Sequence, residues 1–215
     1  MDDASLLIGW RYSDMARGFN DFSVSYVHGS LATPGPGEQL PRAGEASSYS
    51  IASFRFQRQQ GLTRYQSLVI TVGGQYTSNA VATLDEIAIG GSTNSRGYGV
   101  ADYVGDEGTY GSLEWVIGAP GFAAKPGFSG KTWGDLLQFS LFADAAHGKS
   151  NLGNSATSFN LPPADLNDWG AALQMVLPNR FYARVSWAKP ISEAAEIKVI
   201  DPKTSHVYGT IGFTF

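Results

Sequence analysis

Few residues of this chain could carry out chemistry, and none of them completes a catalytic motif. The segment Gly127–Thr132 (GFSGKT) resembles the end of a phosphate-binding P-loop. That motif needs a glycine five positions before Gly130, where this chain has Lys125. Asp106 and Glu107 are adjacent acids, which we interpret as solvated loop charges rather than as an acid and base pair. Since no G-x-S-x-G nucleophile elbow occurs either, the sequence predicts that the protein is not an enzyme.

The sequence also predicts no metal site and no cofactor. Cysteine is absent, which excludes zinc sites with cysteine ligands and thiol catalysis. The histidines lack the spacing of zinc ligands and fall near the ends of predicted strands: His28, His147 and His206.

One arginine lies in a setting that suggests a structural task. Arg96 occurs in the glycine-rich stretch Gly90–Gly108 (GGSTNSRGYGVADYVGDEG), at the end of the 32-residue link Thr77–Gly108. A link of this length without secondary structure is usually functional, and glycines allow it to fold tightly back on itself. If the loop entered a barrel lumen, the guanidinium would need a carboxylate partner, because an isolated buried charge is very costly. The alternative is a solvated glycine-rich hairpin loop.

The composition excludes several classes of protein. The 215 residues are enough for one domain or for part of a larger one. Fifteen basic and 19 acidic residues give a net charge of -4, which argues against nucleic-acid binding. No run approaches the ~18 apolar residues of a membrane helix, whereas a transmembrane β-barrel dilutes its apolar residues by alternation. The first residues lack the basic and apolar regions of a signal peptide, so an exported protein would be represented here by a mature form or a fragment.

Alternation of apolar and polar residues predicts nine strands and no helix. Most predicted strands exceed the ~5–6 residues usual in globular proteins and approach the ~9–11 of a tilted membrane strand. Short and long links mostly alternate, as at the two surfaces of a membrane barrel, although Ile117–Asp135 is long where a tight turn is expected. The predicted strands are Ser5–Ser13, Asp21–Tyr26, Ala52–Gln57, Ser67–Tyr76, Ser112–Ile117, Leu137–Asp144, Trp169–Leu177, Phe181–Trp187 and Val207–Phe215.

The two faces of these strands have different expected environments. Strand length, aromatic strand ends and low charge favour a membrane barrel, in which the apolar face meets lipid. A soluble β-sandwich or lipocalin-like barrel would show the same alternation with its apolar face inward. In the membrane interpretation the following residues point outward: Leu6, Ile8, Trp10, Leu68, Ile70, Leu113, Trp115, Leu141, Leu173, Val185 and Ile211. The following residues point inward: Ser53, Arg55, Gln75, Glu114, Gln138, Asp144, Gln174 and Arg184.

The link that contains Arg96 resembles the [VI]RG[YF] loop of the BamA/FhaC superfamily of outer-membrane barrels. Glu86–Gly91 (EIAIGG) is similar to the "EQFxLGG" sequence that precedes this motif. Gly105–Gly108 (GDEG), followed by Leu113–Trp115 (LEW), is similar to the "GDxGxxxxxEL" sequence that follows it. Ser95 departs from the pattern, because Val or Ile usually precedes the arginine.

Two more segments carry the resemblance. Phe142–Ala146 (FADAA) is similar to the "FxDxG" strand of the superfamily, with alanine at the last position. The C-terminal Val207–Phe215 (VYGTIGFTF) resembles the β-signal that directs insertion of outer-membrane barrels. Ala183–Ser192 (ARVSWAKPIS) is similar to the haemolysin-activator branch, the two-partner-secretion transporters of the ShlB/FhaC/HecB type.

The resemblance implies an all-β fold, in which this chain forms about the last nine strands of a 16-strand antiparallel transmembrane β-barrel. Residues 1–215 would form a single domain, without POTRA domains, and the loop 77–108 would fold into the lumen. The implied residues of the loop motif and its lumen lock are Gly90, Gly91, Arg96, Gly97, Tyr98, Asp144 and Glu114. The implied insertion signal comprises Tyr208, Ile211, Phe213 and Phe215.

The resemblance further implies protein transport across the outer membrane of a Gram-negative bacterium. The barrel would secrete, and so activate, a large β-helical exoprotein such as a haemolysin or an adhesin. Its partners would be that exoprotein, outer-membrane lipid and the barrel assembly machinery, with no nucleic acid. One alternative within the superfamily is a BamA- or TamA-type barrel that assembles other outer-membrane proteins. An alternative of another class is a soluble β-barrel that binds an apolar ligand.

Overall fold

A computed structural model describes residues 2–30, 46–151, 162–177, 180–191 and 204–213. In these residues nine long strands form one antiparallel sheet in chain order, and two short strands in the link after β4 pair only with each other. The main sheet comprises β1 (Asp2–Ser13), β2 (Gly18–Ser30), β3 (Ser48–Thr63), β4 (Gln66–Tyr76), β7 (Glu107–Gly118), β8 (Leu137–Lys149), β9 (Ala164–Leu177), β10 (Phe181–Pro190) and β11 (His206–Phe213). The short pair is β5 (Ile87–Ile89) and β6 (Tyr103–Gly105).

Neighbouring strands are held in register by pairs of large apolar side chains. Trp10 lies opposite Phe22, Phe22 opposite Phe56, and Phe56 opposite Val72, so one apolar row crosses four strands. Aromatic and β-branched residues suit such positions, because their side chains pack across the ladder. A slip of one residue would move every apolar side chain to the other face, so this row specifies the register.

The apolar side of the sheet, which we call the outer face, has no protein layer against it. Leu6, Trp10 and Leu173 are 60%, 69% and 53% exposed. Of the eleven residues that the sequence predicts to point outward, Leu68 and Ile70 are partly exposed and the other nine are exposed. An apolar surface that extends across one whole face of a sheet is typical of a protein that contacts lipid or another apolar partner.

The opposite side, which we call the inner face, is polar. The sheet curves so that side chains from β3 and β11 line one cavity of about 420 Å³. A polar wall does not suit the soluble alternative, in which a barrel would enclose an apolar ligand. The cavity is lined by Arg55, Gln57, Val69, Thr71, Ser92, Thr93, Arg96, Ser112, Glu114, Tyr182, Arg184, Ser186, Tyr208 and Thr210.

The largest apolar core cluster lies between the inner face and the link after β4. It contains three fully buried side chains from that link, Ile89, Tyr98 and Tyr103, and Leu166 from β9. This core therefore packs the link against the sheet. The strands of the sheet are held together by their hydrogen-bonded ladder.

Several details of the sequence prediction are wrong, and most strands are longer than predicted. The link Thr77–Gly108 is not free of secondary structure, because Thr83–Asp85 form a 3-10 turn and β5 pairs with β6. Strand β3 continues to Thr63 instead of ending at Gln57, since its polar residues also pair with β2 and β4. The long link before β8 contains one short helix, α1 (Trp133–Leu136), with Thr132 and Asp135 forming a capping box. No helix in the described segments is long and apolar enough to span a membrane.

Another difference concerns the last strand. Strand β11 begins at His206 rather than Val207, and its described part ends at Phe213. Phe215, which the sequence predicts to belong to the insertion signal, lies outside the described residues.

The hairpin between β1 and β2 is closed by a carboxylate. Asp14 Oδ1 accepts hydrogen bonds from the backbone nitrogens of Ala16 and Gly18, both at 2.9 Å. Its Oδ2 accepts a bond from Arg58 Nη1 at 2.7 Å. The backbone donor at Gly18, followed by Arg58, lowers the pKa of Asp14 from 3.8 to about 2.

If the outer face meets lipid, an arginine placed there should be costly. We expect Leu173→Arg to lower the free energy of unfolding by about 2–4 kcal/mol near the bilayer midplane. Denaturant titration of the protein refolded into lipid vesicles measures this. Thr71→Arg is the control, because Thr71 lines the polar cavity and lies opposite the uncharged Gln57 and Ser112. Equal costs for the two variants would contradict the assignment of the faces.

The Asp14 carboxylate should make the stability of the first hairpin depend on pH. Its pKa is lower in the folded protein, so its contribution is complete above the unfolded value and is lost as the pH falls through about 2. Asp14→Asn keeps an oxygen for the turn but removes the charge. We expect this variant to be less stable than the parent at pH 7 and equally stable near pH 2 in denaturant titrations. Asp21→Asn, which disrupts an exposed pair with Arg11, is the control and should show a smaller difference.

Candidate functional site

Hydrogen bonds attach the link after β4 to the sheet near both of its ends. Asp106, just before β7, is fully buried. Its Oδ1 accepts a bond from the Val81 backbone at 2.8 Å, and its Oδ2 accepts one from the Asn151 backbone at 2.7 Å. Gln75 donates to the carbonyl oxygens of Asp85 and Asp106 at 2.6 and 3.1 Å. These bonds join both ends of the link to the segment after β8.

The interpretation of Asp106 and Glu107 as solvated loop charges is therefore wrong. Asp106 is 0% exposed and Glu107 is 8% exposed. Two backbone N–H groups and the Ser150 hydroxyl, at 3.0 Å, compensate the buried charge of Asp106, and Lys149 Nζ lies 3.2 Å from Glu107 Oε2. The sequence could not show these donors, because a backbone amide has no residue-type signature.

Two glycines shape the return of the link over the inner face. Gly90 and Gly91 have φ values of +104° and +106°, which favour glycine. A methyl group at Gly90 would overlap the carbonyl oxygen of Gly99, so the chain crosses itself closely here. The Gly91 nitrogen donates to the carbonyl oxygen of Tyr98 at 3.2 Å. These contacts form the base of the turn Asn94–Gly99, which we call the loop tip.

The loop tip places Arg96 on the inner wall, between β7 and β8. Its Nε and Nη2 donate to the two carboxylate oxygens of Asp144, both at 2.8 Å. Its Nη1 donates to Glu114 at 2.6 Å, and its Nη2 also donates to Ser112 at 2.9 Å. Arg96 is only 7% exposed. Bidentate pairing of this kind uses the planar fork of arginine, which lysine lacks.

An aromatic ring completes the Arg96 site. The guanidinium carbon lies 3.3 Å from the centroid of the Phe142 ring, which is an attractive cation–π geometry. Phe142 and Asp144 are two residues apart on β8, so both side chains point to the inner face. The phenylalanine and aspartate of the FADAA segment thus contact the same arginine.

Glu114 connects Arg96 to a second arginine on β10. Its Oε2 accepts from Arg96, and its Oε1 accepts from Arg184 Nη2 at 2.7 Å. Arg184 also donates to Gln174 at 3.2 Å, and Gln174 donates to Gln138 at 3.1 Å. Side chains from four neighbouring strands and the loop are joined in one polar network.

Gly97 has no room for a side chain. A methyl group there would overlap the Asp168 side chain of β9 and lie 3.0 Å from the backbone nitrogen of Pro190 on β10. The backbone of the loop tip therefore lies directly against two strands. Asp168 is fully buried and pairs in register with Asp144. The sequence analysis missed Asp168 because it placed the start of this strand at Trp169.

Tyr98 anchors the tip on the other side. Its ring is fully buried among Ile89, Tyr103 and Leu166. Its hydroxyl donates to the carbonyl oxygen of Asn167 at 3.2 Å. The structure thus brings together Arg96, Gly97, Tyr98, Glu114 and Asp144, with the two glycines of the turn beneath them.

The residues of the predicted insertion signal lie apart from this cluster, with one exception. Ile211 and Phe213 are exposed on the outer face of β11, at 67% and 63%. Tyr208 points to the inner face, where its hydroxyl donates to the carbonyl oxygen of Tyr98.

Comparisons with known proteins identify the fold. No family model matches the sequence, and no curated protein matches it. CdiB from Escherichia coli has a similar structure, with a TM-score of 0.64 and 14% identity over 96% of this chain. BamA from Haemophilus ducreyi lacking POTRA domains 1–3 is also similar, with a TM-score of 0.57 and 16% identity over 98% of this chain.

The matched regions are 36% of the CdiB chain and 54% of the BamA chain, so this sequence spans about a third and about half of those structures. The predicted fold class, an all-β antiparallel sheet of the transmembrane β-barrel type, is confirmed. The sheet is not closed within the described residues, because β1 and β11 lie at its two edges.

The Arg96 pairs should hold the loop against the wall. Breaking a buried pair leaves an unpaired charge, so we expect Arg96→Ala to destabilise the docked loop by about 3–5 kcal/mol. Limited proteolysis within residues 77–106 of the folded protein reports undocking. Asp144→Ala should expose the loop to a similar degree, and the double variant should be no worse than either single variant, since both remove one interaction.

Arg55→Ala is the matched control. Arg55 lines the same cavity but makes no hydrogen bond to another described residue. Cleavage that is equally slow in Arg96→Ala and Arg55→Ala would contradict a docking role for Arg96.

Proposed function

We propose that this chain is part of an outer-membrane β-barrel that translocates a large β-helical exoprotein, such as a haemolysin or adhesin. The observation that carries the proposal is the polar inner wall, crossed by a loop whose arginine is bound bidentately to Asp144. The apolar outer face and the fold shared with BamA support a location in the bacterial outer membrane. The Arg-Gly-Tyr motif and its flanks support the two-partner-secretion branch of the BamA/FhaC superfamily.

The chemistry of the inner wall suits an unfolded polypeptide in transit. Such a chain exposes backbone donors and acceptors, and hydroxyl, amide and guanidinium groups can exchange hydrogen bonds with it. Thr71, Ser112, Ser186 and Thr210 supply such groups from four strands. Folding of the exoprotein outside, by burial of its own apolar surface, would give the transport its direction without ATP.

The outer face of β11 suits recognition by the assembly machinery. Ile211 and Phe213 alternate on the exposed side of the last strand. We propose that these residues, together with Tyr208 and Phe215, form the signal that directs insertion of the barrel.

A barrel of the BamA or TamA type, which assembles other outer-membrane proteins, is the second candidate. The fold likeness to BamA favours it as much as it favours secretion. The two functions differ in their product, because one releases a protein from the cell and the other leaves a protein in the membrane.

Secretion can be tested by producing the barrel together with a large β-helical exoprotein of the same bacterium. We expect Arg96→Ala to reduce extracellular exoprotein by about tenfold or more, because losing a buried pair shifts the docked population by at least that factor. The amount of folded barrel in the outer membrane, measured by heat-modifiable migration, should fall much less. Arg55→Ala removes a guanidinium from the same wall without breaking the Arg96 pairs, so it should reduce secretion much less than Arg96→Ala.

A second readout separates the two candidate functions. Cells that lack the protein should insert other outer-membrane barrels normally if it is a secretion barrel. Loss of those barrels, with exoprotein export unchanged, would overturn the secretion proposal and favour assembly.

A further inference from the structure

The loop tip is bound to the last strand as well as to the Arg96 site. His206 Nδ1 donates to the carbonyl oxygen of Gly97 at 2.8 Å, and the Tyr208 hydroxyl donates to the carbonyl oxygen of Tyr98. The two side chains occupy alternate positions on β11, so both point to the inner face. Their rings stack, with centroids 6.3 Å apart and planes inclined by 12°.

These contacts add to the pairing of β11 within the sheet. It pairs with β10 from Phe181↔Phe213 to Ala188↔His206. The two bonds to the loop tip are thus a second attachment of β11 to the fold.

The same three loop residues are attached to every other strand of this half of the sheet. Arg96 bonds to β7 and β8, and Gly97 lies against β9 and β10. The carbonyl oxygens of Gly97 and Tyr98 then accept bonds from β11. A displacement of the loop tip that breaks the Arg96 pairs must also move these two acceptors away from β11.

We propose that His206 and Tyr208 are positioning residues that latch β11 to the loop tip. Release of Arg96 from the wall and loosening of β11 are then one coupled event. The side chains of the Arg-Gly-Tyr motif do not specify this attachment to β11, because the loop contributes only backbone carbonyl oxygens to it. The latch rests on the proposed function only for its purpose, which is to hold β11 in its docked position until the loop moves.

Hydrogen exchange measured by mass spectrometry tests the latch in the protein reconstituted in lipid nanodiscs. Tyr208→Phe removes one hydroxyl and keeps the ring. We expect amides of β11 to exchange about three- to tenfold faster, as for the loss of one hydrogen bond. Tyr182→Phe is the matched control, because Tyr182 lines the same cavity but donates to Gln174 at 3.4 Å and not to the loop. It should leave β11 unchanged.

The coupling between the loop tip and β11 also predicts how a change in the loop affects amide exchange in β11. Arg96→Ala should also accelerate exchange in β11, although Arg96 contacts no residue of that strand through its described hydrogen bonds. In a His206→Phe/Tyr208→Phe background, Arg96→Ala should have no further effect on β11. His206→Gln, which keeps an N–H donor, should restore slow exchange relative to His206→Phe.

The outcomes separate the latch from the proposed function. Unchanged β11 exchange in both Tyr208→Phe and Arg96→Ala would overturn the latch, whatever happens to secretion. Accelerated β11 exchange, in a protein that exports no exoprotein even as the parent, would support the latch and overturn the secretion proposal. In Tyr208→Phe, which removes a contact of β11 alone, equal acceleration in β9 and β11 would mean general loosening of the sheet and would also overturn the latch.

Discussion

A buried guanidinium is the interaction on which the arrangement of the loop depends. Arg96 is almost excluded from water, and an unpaired charge in that position would be prohibitive. Its acceptors lie on two adjacent strands, so the loop tip must reach the wall at one depth and in one orientation. Gly97 permits that close approach, and the Tyr98 ring fills the adjoining core. The motif is compact because each of its three residues satisfies a different physical requirement of the same docked position.

The sheet reverses the usual distribution of polarity. Large apolar side chains cover its exposed outer face, while charged and amide side chains line its inner face. Most of the structure therefore gains little from an apolar interior, and its rigidity comes from the hydrogen-bonded ladder and the row of cross-strand apolar pairs. The largest apolar core of the described residues forms where the link covers the sheet. Loss of the loop would remove that core as well as the ion pairs.

The sequence allowed the sheet and its faces to be predicted, because alternation reports directly which side chains share a face. For the same reason Glu114 and Asp144 could be placed on the inner wall before any contact was known. Partners that act through the backbone could not be predicted. Two of the donors to Asp106 are backbone amides, and His206 and Tyr208 donate to backbone carbonyl oxygens, so no residue type marks the other half of these bonds. The length of β3 was missed because its polar end pairs with both neighbours without showing alternation.

Glu114 is shared between two arginines, so undocking of the loop would affect the charge balance of Glu114 and Asp144 differently. Arg184 belongs to the sheet and remains bonded to Glu114, so that carboxylate keeps a counter-charge. Asp144 has its described cationic contact only with Arg96, and it loses both bonds of the fork. With the loop tip undocked, the inner wall would therefore carry one carboxylate, that of Asp144, without its cationic partner. If the barrel translocates a polypeptide, as we propose, a lysine or arginine of that polypeptide would compete for Asp144, and the loop could dock again only by displacing it.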